Sequence, residues 1–455
     1  MEARDAGRRV GRLGRGGRDP WPAGAQAKEV EDEAGLSDSF RYAHLSDALA
    51  ALSAALGDAR TLETVGTPDA FGRVLAKDVL APRDLPEKDV ASFDGYAIAS
   101  SATEGAAPGS PVELELLPGE TKAGQVQKGR LSEGQAARVA TGAYLPRGAD
   151  AVVAKEDVAA AEEAVSIPKA VARGEHVFRR GADVMRGERV LAAGRRVLGQ
   201  DLVLLASLHI ARVPVFREPR VAILPTGSEL TSEIGDRREG KVVESHSLML
   251  RRLVEGAGGR AETRPIVRDD REALVRSIRA ALAKSDILFT LAGSSVGEPD
   301  LVESALRRAG ATMLIHGVRV HRGRVMGVSM VSGKPVVILP GPVQGALNAF
   351  IVFGYPIIRH HLGRGLEAPP WLPATVSEDW EATGKFRDFH QVVYLALRRD
   401  PGGGALLAAP SGAETEKASF LASKNAYVLV PGPGGRLSKG QSIQARFLPG
   451  FSGVE

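Results

Sequence analysis

Cysteine is absent from the sequence. Without thiols the chain can form neither a disulfide framework nor a thiolate-ligated metal site. The sequence also lacks any run of about 18 apolar residues, the length that a membrane-spanning helix needs. We therefore expect a protein that has no disulfides and does not enter a membrane. The remaining composition is that of a globular protein, with 44% hydrophobic and 25% charged residues.

The basic charge of the chain is confined to its first residues. The formal net charge is +4, and residues 1–18 alone contain six arginines against two acids. The rest of the chain is formally neutral, which argues against a nucleic-acid partner. The tail has no apolar core of the kind found in signal peptides. We predict a cytoplasmic protein whose residues 1–36 form a disordered basic tail, or reflect a start codon placed too far upstream.

Length and turn residues predict several domains. A chain of 455 residues is too long for one core, and its 53 glycines and 27 prolines indicate many turns. The apolar pattern is helical over residues 37–80 and changes to short apolar pieces between turns up to residue 172. From Arg220 it alternates strand, loop and helix, which indicates a parallel sheet with helices on both faces.

The predicted fold class is multidomain α/β. It comprises a parallel-sheet domain with helices on both faces, an inserted small β-rich domain, a helical or mixed linking domain and a C-terminal β domain. In the parallel-sheet domain we expect a hairpin that turns at Ser332-Gly333-Lys334 and a helix from about Val343 to Arg359. The predicted boundaries are 1–36 for the tail, 37–82 and 173–218 for the linking domain, 83–172 for the β-rich domain, 219–366 for the α/β domain and 367–455 for the last domain.

Three loops lie where an open parallel sheet binds its ligands, beyond the carboxyl ends of the strands. They are residues 225–229, 268–270 and 292–300. The third loop joins a buried strand to a helix through small residues, so its backbone N–H groups and the helix N-terminus favour an anion. An ordinary turn is the alternative, since the loop has neither the GKS/T of a Walker loop nor GxGxxG. The phosphate-binding candidates are Gly227, Gly293, Ser294, Ser295 and Gly297.

Acidic residues accompany all three loops. Glu229, Asp269 and Asp300 follow successive strands, and their carboxylates offer the oxygen ligands that Mg²⁺ prefers beside a phosphate. Helix capping explains any one of these acids equally well. The three together predict a magnesium site at this edge of the sheet.

A cationic stretch surrounds residue 320. Arg319, His321, Arg322 and Arg324 lie close together in the sequence. Guanidinium groups that face a common crevice would hold a phosphate or an oxyanion such as molybdate through paired hydrogen bonds. A solvated basic loop is the alternative. We select His321, Arg322 and Arg324 as substrate-binding candidates.

Five short motifs follow one another along the chain. Together, their order and spacing resemble those of the molybdopterin molybdenumtransferase family, which includes the E domain of gephyrin, and the resemblance covers roughly residues 40–450. The matching stretches are Phe93-Asp94-Gly95-Tyr96-Ala97, Thr141-Gly142-Ala143 with its continuation to Val153, Arg179-Arg180-Gly181-Ala182-Asp183, Thr226-Gly227-Ser228-Glu229-Leu230 and the loop of residues 292–300.

This resemblance implies an elongated four-domain subunit that forms a homodimer. Asp94, Thr141 and Asp183 would then reach the ligand from the partner subunit and act with Glu229, Asp269 and Asp300. Family members use Mg²⁺ to cleave adenylylated molybdopterin, insert molybdate and release AMP. The resemblance implies the same reaction here, with molybdate or tungstate as the oxyanion and other molybdenum-cofactor assembly proteins as further partners.

Several family positions hold different residues in this chain. Two lysines of the family become His321 and Arg324, and an asparagine after Leu339-Pro340-Gly341 becomes Pro342. Arg324 keeps the charge of lysine, whereas His321 is charged only when protonated. A catalytically impaired paralogue that binds molybdopterin as a scaffold is therefore the alternative. The related adenylylation step fits less well, because the motifs of residues 84–200 belong to the insertase architecture.

Overall fold

The computed structural model describes residues 42–127, 129–292, 301–401, 403–411 and 418–448. The chain divides into two compact units, one formed by Leu62–Val215 and the other by the residues on both sides of it. The predicted tail, residues 1–36, lies outside the described residues. The finer domain boundaries given above remain predictions.

The Leu62–Val215 unit is built on a six-stranded sheet. Its core contains Tyr96, Ile98, Leu116, Val153 and Ile167, all on strands and all nearly inaccessible to solvent. The β-rich character predicted for this part of the chain is confirmed. In spatial order the strands are Ala151–Ala154, Gly95–Ile98, Gln135–Val139, Val112–Thr121, Ala164–Ile167 and Ala159–Ala160.

Smaller elements complete this unit. The Gly199–Ser207 helix packs Leu205 into a second core. Three two-stranded ribbons pair Leu62–Gly66 with Arg212–Phe216, Val90–Ala91 with Val177–Phe178, and Val79–Leu80 with Arg189–Leu191. Short 3-10 helices span Thr67–Ala70, Ser100–Thr103 and Lys155–Asp157.

The helix predicted over residues 37–80 is much shorter in the structure. It spans Leu45–Leu56 and ends at Gly57, whose φ of 55° is left-handed. The strand Leu62–Gly66 and the 3-10 helix Thr67–Ala70 follow it. The alanine-rich pattern predicted the helix correctly, but the prediction continued it past the glycine that stops it. Residues 37–41 lie outside the described part of the chain.

The α/β part of the second unit contains a mixed six-stranded sheet. Leu224, Leu288 and Ile338 line its core beneath Ile278 and Val302 of the flanking helices. The spatial order is Arg260–Thr263, Arg220–Pro225, Ile287–Leu291, Lys334–Leu339, Gly327–Val331 and Ala311–His316. The helices are His246–Ala257, Arg271–Lys284, Leu301–Ala309, and Val343–Ala349 with its continuation through the π-helix Phe350–Gly354 into Tyr355–His361.

The parallel strands and the hairpin agree with prediction, and the edge of the sheet does not. The first four strands are mutually parallel, and the hairpin turns at Ser332-Gly333. The strand Gly327–Val331 is antiparallel to both of its neighbours. The strand Ala311–His316 was not predicted, and it pairs antiparallel with Gly327–Val331. It lies between Gly310 and Gly317, whose φ values are 98° and 96°. The sheet is therefore mixed rather than wholly parallel.

The C-terminal part of the second unit is a closed five-stranded barrel with a short helix, Ala418–Ala422. Leu395, Ala408 and Ala445 lie in its core. The separate β domain predicted here is confirmed. Its first strand begins at Trp371, which pairs with Arg446. The barrel order is Trp371–Val376, Leu406–Pro410, Gln391–Arg399, Ala426–Val430 and Ser442–Phe447.

Two further strand pairs, Leu230–Thr231 with Val242–Val243 and Trp380–Glu381 with Arg436–Leu437, complete this unit. No helix within the described ranges is both long enough and apolar enough to cross a membrane.

Candidate functional site

The first candidate loop begins at the carboxyl end of the Arg220–Pro225 strand. Thr226 is fully buried, and both its N–H and its hydroxyl donate to the carbonyl of Leu291, at 2.9 and 3.0 Å. The Gly227 N–H donates to the Val267 carbonyl at 3.0 Å. These bonds fix the loop between the ends of two parallel strands, where ligands of such sheets bind.

Gly227 has a backbone conformation that favours glycine. Its φ is 154°, which residues with a side chain rarely adopt. A Cβ added there would lie 2.6 Å from Oε1 of Glu229, so the Glu229 carboxylate folds back over the Gly227 backbone and would have to move.

Asp269 joins the same loop through a reciprocal pair of hydrogen bonds. The Ser228 N–H donates to Asp269 Oδ2 at 3.0 Å, and the Asp269 N–H donates to Ser228 Oγ at 3.1 Å. Two of the three predicted metal ligands, Glu229 and Asp269, thus lie beside Gly227-Ser228. Asp270 has a different role, because its carboxylate accepts from the Ala273 N–H and caps the next helix.

Lys241 is a cation of this loop that the sequence analysis missed. Its Nζ donates to the Ser228 carbonyl at 2.8 Å. Lys241 is followed by the strand Val242–Val243. This strand pairs with Leu230–Thr231, the strand that begins directly after Glu229. A strand pair of two residues carries almost no periodic signal, so the position of Lys241 could not be predicted from the local pattern.

Only the first residue of the third candidate loop is described. Ala292 has a φ of 66°, and its N–H donates to the Leu339 carbonyl at 3.0 Å. Asp300 and the predicted phosphate-binding residues Gly293, Ser294, Ser295 and Gly297 lie outside the described residues. Within the described ranges, no three His, Asp or Glu side chains form a metal-binding group.

The cationic stretch lies against the C-terminal barrel. The guanidinium of Arg319 lies 5.2 Å from the Phe389 ring centroid, and that of Arg324 lies 4.6 Å from the Phe386 ring centroid. Such cation–π contacts are favourable wherever the cation is partly desolvated. Two arginines of the basic stretch therefore lie over aromatic rings of the C-terminal part.

His321 and Arg322 line one pocket. His321 Nδ1 lies 2.7 Å from Oε1 of Gln391, the first residue of a barrel strand. Burial lowers the pKa of His321, and the nearby Arg322 and Arg324 lower it further, although the bond to Gln391 opposes this. The remaining lining residues come from a helix of the α/β part and from the C-terminal part: Gln344, Trp380, Val392, Val393, Tyr394, Ser411 and Phe420.

The Leu62–Val215 unit carries its own polar cluster. Oδ1 of Asp94 accepts from both the N–H and the hydroxyl of Thr141, each at 2.8 Å, and Lys155 Nζ lies 3.5 Å from Oδ2. The pKa of Asp94 is lowered mainly by the Thr141 N–H, then by its hydroxyl, with Lys155 contributing less. The structure thus brings Asp94 and Thr141 together, and it adds Lys155, which the sequence analysis did not select.

Asp183 stands apart from that cluster. Its N–H donates to the Leu85 carbonyl at 3.0 Å, and its side chain is exposed. No hydrogen bond among the described residues joins its carboxylate to Asp94 or Thr141. Its neighbour Arg180 pairs with Asp84 at 2.5 Å.

Comparisons with known proteins agree with this architecture. A family described as the MoeA N-terminal region, domains I and II, matches residues 43–208. A family described as a probable molybdopterin binding domain matches residues 222–360. A molybdopterin biosynthesis protein of Methanocaldococcus jannaschii is 35% identical over 306 residues, which are 65% of this chain and 74% of that protein. The chain belongs to the MoeA family.

Other MoeA relatives cover more of the chain. A molybdopterin molybdenumtransferase of Staphylococcus aureus is 28% identical over 381 residues, 84% of this chain and 90% of that protein. The crystal structure of a molybdopterin biosynthesis MoeA protein from Pyrococcus horikoshii superposes with a TM-score of 0.79 at 27% identity. It covers 90% of this chain and 100% of that one. The chain is therefore a member of an enzyme family of molybdenum-cofactor biosynthesis, as its motifs predicted.

The structure shows the local contacts of three positions at which this MoeA chain differs from its family. Ser228, where the family commonly has aspartate, pairs with Asp269 instead of adding a charge. Glu244 accepts from the Ser247 N–H at 3.0 Å and so caps a helix. Pro342 precedes the Val343–Ala349 helix without a side-chain cap.

Proposed function

We propose that this protein inserts molybdate or tungstate into adenylylated molybdopterin and releases AMP. The observation that carries the proposal is the loop Thr226–Glu229, which holds Glu229 and Asp269 beside Gly227-Ser228 at the carboxyl ends of the parallel strands. This loop lies in the part of the chain that matches the molybdopterin binding domain. Two carboxylates beside one loop suit a phosphate held through a cation.

Mg²⁺ fits these residues by the chemistry of its ligands. Mg²⁺ takes one or two carboxylates and completes its coordination with water and substrate phosphates. Glu229 and Asp269 would hold it, with Asp300 as the third ligand. When bound, it would offset the negative charge of the phosphates and the oxyanion. Asp269 keeps one carboxylate oxygen available, because the Ser228 N–H uses only Oδ2.

The substrate would be held by backbone and by cations. The loop residues Gly293, Ser294, Ser295 and Gly297 would approach the phosphates with N–H groups beside a helix N-terminus. Gly227, whose own N–H is bonded to Val267, would let the substrate come close because it has no side chain. Lys241 adds a positive charge, since its ammonium uses one of three N–H donors on Ser228. His321, Arg322 and Arg324 would hold the oxyanion or a phosphate.

The active form would be a homodimer. Asp94, Thr141 and Asp183 of one subunit would then act on the ligand held by the loop of the other. The two donors of Thr141 keep the Asp94 carboxylate ionised and oriented, which suits a group that positions a ligand. We further propose that the protein works in the cytoplasm with other proteins of cofactor assembly.

A binding or scaffold role is the second candidate, and the contact of His321 favours it. A lysine of the family is replaced by a histidine that is engaged with Gln391. A neutral imidazole attracts an oxyanion less than an ammonium does. Such a protein would bind adenylylated molybdopterin without turning it over.

Release of AMP separates the two candidates. Purified protein is given adenylylated molybdopterin with molybdate or tungstate, with and without Mg²⁺, and AMP is quantified. The transferase predicts release that depends on both Mg²⁺ and the oxyanion. Asp269→Asn should slow it by about 10- to 100-fold, the usual scale for groups that support a metal site. Tight substrate binding without release would establish the scaffold.

A further inference from the structure

The pocket beside His321 has hydrogen-bonding capacity that the protein does not fill. Gln344 is 7% exposed, and its Oε1 has no hydrogen-bond partner among the described residues. Arg322 and the hydroxyl-bearing Ser411 line the same pocket. A buried amide oxygen without a partner is costly, so a water or a ligand group that donates to it is expected in this space.

The contacts of Gln391 define the protonation of His321. The Gln391 amide nitrogen donates to two backbone carbonyls, those of Phe386 at 2.9 Å and Phe389 at 3.0 Å. Its Oε1 is therefore the atom that meets His321, and an amide oxygen only accepts. Nδ1 of His321 must then carry a proton, and in the neutral ring Nε2 is a bare acceptor.

The charges around the ring favour that neutral form. From its own loop, His321 faces Arg322 and Arg324, and both oppose a second proton. The helix side contributes the neutral amides Gln344 and Asn348, and Phe386 lies 6.1 Å from the imidazole. From the barrel come Gln391 and Tyr394, whose pKa burial raises well above its usual value. The pKa of His321 is accordingly below its ordinary value.

A dianion in the pocket would reverse this balance. It would meet Arg322, and it would favour an imidazolium whose Nε2–H donates to it, because a charged donor binds an anionic oxygen strongly. A bare Nε2 presents a lone pair to the same oxygen and repels it. Binding and protonation are therefore linked.

We propose that His321 makes binding of a tetrahedral oxyanion in this pocket conditional on uptake of one proton at Nε2, with Gln391 holding the ring in place. The pocket is thus a proton-linked oxyanion site. A lysine at position 321 would bind the same anion without this condition. The inference rests on the proposed function for the identity of the anion, which could be the metal oxyanion or a phosphate of the substrate.

The test is the pH dependence of oxyanion binding. Equilibrium dialysis of the full chain between pH 6.0 and 8.5 is carried out separately with molybdate, tungstate and inorganic phosphate. The affinity of the preferred anion should weaken with rising pH by up to about tenfold per unit, the limit for one linked proton. His321→Lys should bind with little pH dependence and should retain affinity at pH 8. His321→Gln should bind weakly at every pH.

Two further variants make the result specific. His360→Gln alters a histidine whose Nε2–H donates to the Gly57 carbonyl, away from this pocket, and it should leave the pH dependence unchanged. Gln391→Glu places a carboxylate on Nδ1, which raises the pKa of the imidazole, so its binding should persist to higher pH.

Binding by the unaltered chain that does not vary with pH would overturn the inference, as would an unchanged pH dependence in His321→Gln. Absence of binding by both the unaltered chain and His321→Lys would overturn it too. The proposed function is judged separately by release of AMP with Mg²⁺. Preferred binding of phosphate over molybdate would assign the pocket to the substrate.

Discussion

Gly227 shows at the level of one residue how backbone geometry shapes the candidate site. Gly227→Ala would place a Cβ 2.6 Å from Glu229 Oε1 at a φ of 154°. The Glu229 carboxylate must then move, and we expect a stability loss of about 1–3 kcal/mol, as for other overpacked positions. Mg²⁺-dependent release of AMP should fall by about tenfold or more, which an activity assay and a thermal melt would measure.

A matched control lies in the same region. Gly235 has no atom within 4 Å of an added Cβ and no positive φ, so Gly235→Ala should change neither activity nor stability appreciably. Equal effects of the two substitutions would contradict the importance of the Gly227 contact.

Single residues also show where prediction from sequence stops. Glu229 and Asp269 were predictable, because each follows a strand of the parallel sheet and the ends of such strands meet at one edge. Lys241 was not, since its contact with Ser228 depends on a strand pair of two residues. The partner of His321 was not predictable either, because Gln391 lies 70 positions away in another part of the unit. Contacts of this kind depend on tertiary packing.

At the level of elements, neighbouring acids before the Arg271–Lys284 helix should separate stability from activity. Asp270→Ala removes the cap on the Ala273 N–H and should cost about 1 kcal/mol, with AMP release retained. Asp269→Ala should lower AMP release and affect stability less. Thermal melts and activity assays of both variants test this, and it would be contradicted if Asp270→Ala abolished activity at temperatures where the variant is folded.

The helix that starts at Val343 is joined to the barrel by one buried pair. Tyr394 donates to Asn348 Oδ1 at 2.6 Å, and Asn348 Nδ2 donates to the His321 carbonyl at 3.2 Å. Tyr394→Phe leaves the buried Asn348 oxygen without this donor and should cost about 1–3 kcal/mol. Unfolding of Tyr394→Phe, Asn348→Ala and the double variant should show coupling. Strict additivity would mean that the bond contributes little.

Elements of the α/β part were predicted well where the apolar pattern was clear. The alternation of strand, loop and helix predicted from Arg220 is confirmed by the buried strands Arg220–Pro225 and Ile287–Leu291, which are almost wholly apolar, and by the helix Arg271–Lys284, whose apolar residues recur at helical spacing. The edge strand Ala311–His316 and the barrel strand Trp371–Val376 were missed. Edge and barrel strands are specified by the neighbours they pair with, which a local pattern does not contain.

At the level of the whole molecule, buried histidines predict acid sensitivity. The pKa values of His246, His321, His361 and His390 are all lowered, in each case chiefly by burial. In the unfolded chain histidine titrates near its ordinary value of about 6.5. The contribution of these neutral rings to stability is therefore fully present above about pH 6.5 and is lost as pH falls below it.

Thermal melts between pH 8 and pH 5 check this. The melting temperature should fall on acidification below about pH 6.5. The free energy of unfolding should decrease by up to about 1.4 kcal/mol for each unit by which the pKa of a histidine is lowered. His361 is 5% exposed, so His361→Gln should make the melting temperature depend less steeply on pH. An equally steep dependence in this variant would exclude His361 as a cause. Because the chain forms two units, each transition should be analysed separately.

The central claim is that the Gly227 loop and its carboxylates serve metal insertion. The most direct measurement quantifies AMP released and metal retained in the pterin product from the same reaction with Mg²⁺ and molybdate or tungstate. The account predicts one metal atom inserted for each AMP, and neither product without Mg²⁺. Release of AMP without retained metal would indicate a hydrolase, and bound substrate with neither product would indicate a binding protein; both would contradict the account.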